Sequence, residues 1–404
     1  MRNGIIFDFD GVLVDSLDSL FNIYFSVVEK YSDSVSISDV EDLNGRSITE
    51  ICEFISNKYA NNIDVDEIRN IYNEELLVLY SSLEISEYWK STLDCFYGKF
   101  EMAIASGCDS RFVNMVLENN GLIHYFKTIV GGDLVVKAKP DPEIIHLTLS
   151  RCGWDNAVLI DDSQNGIKSG LAAGCTVLKY DLKLINNAKF TEMILLSLDN
   201  KLSYLGSSNE FDINLLSNYP PYYSDEEALT WDALESNGAY NSKILCVNHI
   251  LDFDVKGIYA FENEYKRFRL GCEQPVLAVT GLVENSNNHY LCAIRKETNF
   301  QNVNQLDVVP SGSMASDCIF EQLKEEWIEE TGSNHQLNWS PGYSFVFDHL
   351  NNVIDIILIS KGNDFSIDKM DSSEVFKFQW LDFYSNEADK AAISANFIVS
   401  IVGV

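Results

Sequence analysis

The sequence predicts an α/β protein with at least two domains, the first built on a doubly wound parallel sheet and the second on a mixed sheet. In the first half, short apolar runs alternate with segments of helical period, a rhythm typical of a parallel sheet. Between the first strand and about residue 95 the pattern is helical throughout, which indicates an all-helical insert. A chain of 404 residues also exceeds one ordinary domain.

The first strand carries the most informative residues of the chain. Residues 7–11 read Phe-Asp-Phe-Asp-Gly, so an apolar strand delivers two carboxylates and then a glycine turn. Because side chains alternate along a strand, Asp8 and Asp10 project from the same face and repel each other unless a cation joins them. The pair therefore favours catalysis or metal binding.

The other elements of the first half follow from hydrophobic periodicity. Helices are predicted over residues 17–31, 47–59 and 66–80, and strands over 101–105, 128–130, 157–160 and 176–178. In an open parallel sheet, ligands bind at the carboxyl ends of the strands. Three predicted strands end in polar groups there: Asp8 with Asp10, Ser106-Gly107, and Asp161-Asp162.

Four motifs in about the first 185 residues resemble, in order and spacing, those of the haloacid dehalogenase superfamily of phosphohydrolases. They are DFDGVLVDS, IASG, Lys139 within KAKPDPE, and LIDDSQNGIKSGLAAG, with VGGD at residues 130–133. The resemblance implies a Rossmann-like phosphatase domain over residues 1–197. It also implies that the insert at about 15–95 is a cap that closes over the site and selects the leaving group.

The resemblance further implies a role for each motif residue. Asp8 would be the nucleophile, forming an aspartyl-phosphate that water then hydrolyses. Asp10 would be the acid and base, while Ser106 and Lys139 hold phosphoryl oxygens. Alone, each residue has an ordinary explanation, such as a helix cap for Ser106 or a solvated surface for Lys139.

Metal and substrate contacts are also expected at these strand ends. Asp161 and Asp162 with Asp8 would hold Mg²⁺, and Asp10 is included among the candidate ligands. Gly107 is a candidate substrate contact. Arg46, in the cap loop Gly45-Arg46-Ser47, could meet an anionic or hydroxylated leaving group. Capped members of the superfamily include sugar, nucleotide and glycolate phosphatases and also phosphomutases, and no motif here decides among them.

The middle of the chain, residues 198–270, carries no recognised motif. Residues 218–225 read as a loop, and residues 244–247 and 257–261 as strands. The region is either a linker or the leading part of the next domain.

A second acidic signature lies in the last third. Strands predicted over residues 276–283 and 290–295 lead to a Pro-Ser-Gly loop and a helix over 317–331 that Gly332 ends. Spacings of three and four place Glu326, Glu329 and Glu330 on one face of this helix, where solvent or a metal relieves their repulsion.

The loop and the helix sequence KEEWIEETG resemble a Nudix box, within a region over residues 271–404. The resemblance implies an α/β/α sandwich in which these glutamates bind Mg²⁺ or Mn²⁺ on a diphosphate, so that water can split a nucleoside diphosphate conjugate. Three departures stand out. Glu325 occupies the family's arginine position, its upstream glutamate falls at Asp317 or Cys318, and the loop is one residue short. Nucleotide binding without cleavage therefore stays open.

Composition bears on the compartment of the protein and on its classes of partner. The nine cysteines form no close pair, which argues against disulfides and cysteine zinc sites and favours a reducing cytoplasm. No apolar run reaches about 18 residues, and the first strand leaves no room for a signal segment. A net charge of −32 disfavours nucleic acid and anionic lipid. The sequence thus predicts a cytoplasmic, Mg²⁺-dependent bifunctional hydrolase of small phosphorylated metabolites and nucleotide conjugates.

Overall fold

The computed structural model describes residues 3–32, 46–60, 63–181, 187–216, 243–264, 274–295, 306–368, 370, 375–383 and 391–402. The chain divides into two compact units, Met1–Leu198 and Asp199–Val404. The loop expected over residues 218–225 lies outside the described residues.

A five-stranded parallel sheet forms the centre of the first unit. Its strands are β1 (Asn3–Phe7), β2 (Met102–Ala105), β3 (Phe126–Val130), β4 (Asn156–Asp161) and β5 (Thr176–Lys179), in the spatial order β3-β2-β1-β4-β5. Strand β1 is central because it pairs in parallel with both β2 and β4. The predicted strands and their parallel arrangement are confirmed, and the order is that of a Rossmann-like sheet.

The insert after β1 is helical, as predicted. It contains α1 (Leu17–Val28), α2 (Ile48–Lys58), α3 (Val65–Ser82) and α4 (Glu87–Phe96). Sequence signals set the helix starts: Ser47 forms a capping box with Glu50 at α2, and Ser86 accepts from the backbone of Trp89 at α4. The first helix ends three residues before the predicted boundary. Hydrophobic periodicity did not predict α4 as a separate helix.

Trp89 joins the helical insert to the sheet. Its ring is fully buried and meets Phe7 of β1 edge-on at a centroid distance of 5.5 Å. Its indole N–H donates to the carbonyl of Val12 at 2.6 Å. Because the loop after β1 carries Asp8 and Asp10, this buried contact fixes the backbone next to both carboxylates.

Four further helices belong to the alternating part of the first half: α5 (Ser110–Asn119), α6 (Glu143–Cys152), α7 (Gln164–Ala172) and α8 (Asn187–Asn200). Ser163 begins α7 by accepting from the backbone of Gly166 at 2.9 Å. Helices α5, α6 and α7 follow β2, β3 and β4 respectively, which produces the predicted alternation of strand and helix.

The second unit contains a mixed sheet and a smaller antiparallel sheet. The larger sheet runs β6 (Leu202–Ser208), β14 (Tyr343–Asp348), β15 (Val353–Ser360), β10 (Val276–Val283), β8 (Lys243–Val247), β9 (Gly257–Glu264) and β7 (Asp212–Leu215), with β13 (Ser311–Ser313) also pairing with β10. Strands β10 and β15 are parallel, whereas β14 is antiparallel to β15. Four strands in the described parts of the region 198–270 therefore lie in this sheet.

The smaller sheet has the order β12 (Leu306–Val308), β11 (Tyr290–Arg295) and β16 (Val375–Leu381). Helix α9 (Ile319–Thr331) packs Trp327 into an apolar cluster with residues of β10, β11 and β16, and α10 (Ile393–Val402) ends the described chain. The strands predicted over residues 276–283 and 290–295 have those bounds, and Gly332 ends α9 at a φ of 63°.

The eight described cysteines are all free thiols, and Cys272 lies outside the described residues. Within the described residues, no helix combines the length and the hydrophobicity needed to cross a bilayer. The compartment stays a prediction.

Candidate active site

The carboxyl ends of the three central strands bring the predicted polar residues together. Asp8 follows β1, Ser106 follows β2, and Asp161 is the last residue of β4. All three are buried, with relative exposures of 4%, 1% and 0%. Parallel strands end at the same edge of a sheet, so residues about 50 to 150 positions apart in the sequence become neighbours here.

Lys139 bridges two of these carboxylates. Its ammonium donates to Asp8 Oδ1 at 3.1 Å and to Asp161 Oδ2 at 2.7 Å, and its third hydrogen bond goes to the carbonyl of Ala105 at 3.0 Å. The lysine side chain has no solvent exposure. All three ammonium protons are therefore used by the ends of the three central strands.

Burial and neighbouring charges both act on the pKa values of Asp8 and Lys139. Burial raises the pKa of Asp8 well above its ordinary value, with Lys139 opposing the shift and neighbouring carboxylates adding to it. Burial alone would lower the pKa of Lys139, but Asp161 and Asp8 raise it above its ordinary value. The lysine therefore stays charged, and it is the cation that balances these buried acids.

The remaining negative charge fits a hard divalent cation. One carboxylate oxygen from each of Asp8, Asp161 and Asp162 lies within 4.8 Å of the others. Gly11, at a φ of +76°, makes room for this group, because a Cβ atom there would lie 2.6 Å from the carboxylate of Asp162. Oxygen donors in this number and type suit Mg²⁺.

Asp10 has a different environment from Asp8. Its carboxylate lies outside the three-aspartate group and accepts from Ser16 Oγ at 2.6 Å and from Tyr80 Oη, which is 2.9 Å from both carboxylate oxygens. Burial raises its pKa to about 6, while the hydrogen bonds from Ser16 and Tyr80 act in the opposite direction. Asp10 can thus exchange a proton near neutral pH.

The residues predicted to contact substrate line one cavity with the two aspartates. Asp8, Asp10, Ser106 and Gly107 form its polar side. The hydroxyl oxygen of Ser106 accepts from the backbone N–H of Cys108 at 3.1 Å, which orients the serine at the strand end. Arg46 is half-buried and also lines the cavity.

The helical insert supplies the other walls. Leu20 and Tyr24 of α1, Ile51 of α2, and Tyr72 with Leu76 of α3 face this cavity. Along each helix the lining positions recur at spacings of three or four residues, so each helix turns one face toward the site. The described wall is therefore predominantly apolar and aromatic.

Sequence reasoning missed two polar residues of this site, Ser16 and Tyr80. Ser16 was visible only as the last letter of the first motif. Tyr80 has a sequence signal in hindsight, because it continues the four-residue spacing of Tyr72 and Leu76 along α3. That pattern is equally typical of core packing, so it does not reveal a hydrogen bond to a residue 70 positions away.

The three glutamates of the second unit lie on α9 but differ in environment. Glu330 is 1% exposed and accepts from the backbone N–H of Ser311 at 3.0 Å, and Glu326 accepts from Gln322 at 2.9 Å. Glu329 is exposed. Among the described residues, they do not form a three-carboxylate group as close as that of the first unit.

Ser311 and Gly312, predicted as part of a loop, belong instead to strand β13, because they pair with β10, and this strand packs against these carboxylates. A Cβ atom at Gly312 would meet the carboxylate of Glu326, so the backbone at Gly312 lies directly beside this side chain. Together with the bond from Ser311 to Glu330, this contact joins the predicted loop and helix into one local arrangement.

Comparison with known proteins identifies the first unit. Residues 5–180 match the family of haloacid dehalogenase-like hydrolases. Phosphoglycolate phosphatase 1 of Pseudomonas aeruginosa is 27% identical over 190 residues, which are 44% of this chain and 69% of that protein. A fructose-1-phosphate phosphatase of Escherichia coli is 28% identical over 190 residues, 45% of this chain and 97% of that protein.

Among solved structures, a β-phosphoglucomutase of Clostridium difficile has 22% sequence identity and a TM-score of 0.40, and the match covers 44% of this chain and 84% of that one. Each of these matches covers less than half of the present chain.

The amino-terminal region of about 180 residues is therefore a haloacid dehalogenase-like hydrolase domain. This confirms the resemblance inferred from the four motifs. The Nudix resemblance of the carboxyl-terminal region stays a prediction.

Proposed function

We propose that the first unit is a Mg²⁺-dependent phosphatase that hydrolyses a small phosphate monoester through a phosphorylated Asp8. The observation that carries the proposal is that two neighbouring aspartates, Asp8 and Asp10, lie in different environments. Asp8 is held by a buried ammonium next to two further carboxylates, whereas Asp10 is held by hydroxyl groups and has a pKa of about 6. One is suited to be a nucleophile and the other to move a proton.

Each residue then has a defined task. Asp8 attacks phosphorus, and Asp10 gives its proton to the leaving oxygen and later accepts one from the attacking water. Ser106 holds a phosphoryl oxygen at the strand ends. Lys139 gives up one of its three present hydrogen bonds to hold another phosphoryl oxygen and offsets its charge. A bound Mg²⁺ would supply positive charge that favours ionised Asp8 and neutralises the phosphoryl group.

The relatives support this chemistry without fixing the ester. Their names describe phosphatases of phosphoglycolate and of fructose 1-phosphate. A phosphomutase remains the nearest alternative, because the same aspartyl-phosphate can pass to a sugar instead of water. Isomerised sugar phosphate in place of free phosphate would favour the mutase.

Replacing the nucleophile tests the proposal. Asp8→Asn keeps the size and shape of the side chain but removes the anionic oxygen, so phosphate release should fall by on the order of 10³-fold or more. The matched control is Asp66→Asn, at an exposed aspartate of the cap, which should retain parental turnover. Circular dichroism establishes that both variants are folded. Parental rates in Asp8→Asn would refute the assignment.

Tyr80→Phe tests the proton transfer through Asp10. The phenol donates to the charged carboxylate and lowers its pKa, so removing the phenol hydroxyl should raise the pKa of Asp10 further. The first chemical step needs protonated Asp10, and kcat/KM therefore falls as pH rises through this pKa. We expect the falling limb to move to higher pH in Tyr80→Phe, with a lower kcat and little change in KM.

The control is Tyr88→Phe, which removes a hydroxyl that instead pairs with Thr191 at 3.0 Å. Its pH profile should match that of the parent. An unchanged profile in Tyr80→Phe would show that the tyrosine only packs against the site.

For the second unit we propose a Nudix-type site that cleaves nucleoside diphosphate conjugates with Mg²⁺ or Mn²⁺. The supporting observation is that Glu326 and Glu330 lie against Gly312 and Ser311 of β13, just before the helix that carries these carboxylates. The alternative is a sensor that binds the nucleotide without cleaving it, and the absence of a close three-carboxylate group among the described residues favours that alternative.

Glu330→Gln separates these two functions of the second unit. Glutamine still accepts from Ser311 but lacks the charge that a metal needs, so conjugate cleavage should drop by roughly 100-fold or more while Asp8-dependent phosphatase activity is retained. Glu325→Gln, at an exposed glutamate of the same helix, is the control. Nucleotide binding without cleavage in the parent would establish the sensor instead.

Fusion of the two units suggests sequential chemistry, in which the second unit releases a monophosphate that the first then dephosphorylates. A conjugate would then yield free phosphate only when both Asp8 and Glu330 are intact. The coupling fails if the phosphatase ignores every product of the second unit.

A further inference from the structure

The side chains that line the cavity beside Asp8 and Asp10 indicate the chemistry of the leaving group. On the described wall, the residues from α1 are Leu17, Leu20, Phe21 and Tyr24, and the spacing i, i+3, i+4, i+7 puts them on one helix face. None of these four side chains carries a charge.

The other two helices also present uncharged side chains to the cavity. Helix α2 contributes Ile48 and Ile51, and α3 contributes Tyr72, Leu76 and Tyr80. Apart from the carboxylates of the reaction centre, Arg46 is the one charged side chain on the described wall. Polar groups on this part of the cavity are thus few.

A polyhydroxylated leaving group fits such a wall poorly. Every sugar hydroxyl that leaves water needs a hydrogen-bond partner, and an unpaired one is costly in an apolar site. The wall offers three phenol hydroxyls and the Arg46 guanidinium, and the hydroxyl of Tyr80 already donates to Asp10. A sugar with four or five hydroxyl groups would leave several of them unsatisfied.

The exposure of the wall points to an apolar occupant. Tyr24, Ile48, Tyr72 and Leu76 are at most 5% exposed, as in an ordinary core. By contrast, Leu17, Leu20, Phe21 and Ile51 are only half-buried although they line the same cavity. An apolar group entering the cavity would remove this hydrocarbon surface from water, which is the usual source of binding energy in small-molecule sites.

We propose that the substrate of this site is the phosphate monoester of an alcohol with an apolar or aromatic body, and not a polyhydroxylated sugar phosphate. The proposal rests on the phosphatase function proposed above. Its phosphoryl group lies at the strand ends beside Asp8, and its carbon body lies against the cap helices. The hydrolysis breaks the ester P–O bond, and water supplies the oxygen of free phosphate and the proton of the released alcohol.

A homologous series of unactivated esters tests the proposal. Propyl, butyl, pentyl and hexyl phosphate have leaving alcohols of similar acidity, so differences in kcat/KM report contacts with the wall. We expect kcat/KM to rise roughly fourfold per methylene until the cavity is filled. Hexyl phosphate should exceed fructose 1-phosphate and glucose 6-phosphate, which have the same number of carbons, by at least tenfold. A flat series or a preference for the sugars would overturn the proposal.

Substitutions of residues that line the cavity test whether the wall causes the dependence of kcat/KM on chain length. Leu20→Asn should flatten the alkyl series and improve the sugar phosphates relative to it, and Ile51→Thr is a milder second change if the first variant folds poorly. The control is Leu77→Asn, because Leu77 belongs to α3 but is 54% exposed and does not line the cavity. The control should keep the parental series.

Two measurements distinguish failure of the phosphatase function from failure of the proposal about an apolar substrate. If no ester gives phosphate in an Asp8-dependent manner, the function is wrong, and binding of propyl- to hexylphosphonate in the presence of Mg²⁺ then decides the nature of the pocket. Calorimetric affinity that increases with chain length supports an apolar ligand site. Affinity that does not depend on chain length overturns it.

Discussion

The ion pairs of Lys139 are the interaction on which the rest of the site depends. A fully buried ammonium joins carboxylates that follow β1 and end β4, and it also bonds to the end of β2. Neither charge would be stable there alone, because an unpaired buried charge costs several kcal/mol. The bridge therefore fixes three strand ends and, with them, the positions of the groups that we propose act on phosphate.

The helical insert contacts this arrangement at two points. Trp89 ties it to the backbone after β1, and Tyr80 reaches from α3 to Asp10. The acid and base of the proposed reaction is thus held partly by the element that also forms the wall of the cavity. The charged form of Asp10 is thus stabilised by a hydrogen bond from the helical insert.

Local patterns made the strand-end residues predictable. Asp8, Lys139 and Asp161 lie in short motifs whose order implies a parallel sheet, and topology then brings them together. The partners of Asp10 were not predictable, because Tyr80 contacts it across 70 positions and its spacing is that of any buried helical residue. The apolar nature of the cavity was equally hidden, since it depends on how three helices turn their faces.

In the second unit the bounds of several strands and of one helix end were predictable, whereas the contacts of its acidic residues were not. Its strands β10 and β11 and the end of α9 were predicted at the residue level, because the alternation and the terminal glycine are strong local signals. The contact of Ser311 with Glu330 came only from the structure. Whether the acidic face binds a metal depends on distances between side chains, and periodicity carries no information about these.

The most direct test of this account is the stability of the strand ends without Lys139. Hydrogen exchange of β1 and β4 in the full chain, in Mg²⁺-free buffer, measures their free energy of opening. Lys139→Met should lower it by about 3–5 kcal/mol, and adding Asp161→Asn should restore part of the loss by removing one unpaired charge. Lys137→Met, at a side chain that is 70% exposed, should change it by less than about 0.5 kcal/mol. Equal protection in Lys139→Met and the parent would contradict the central role of the bridge.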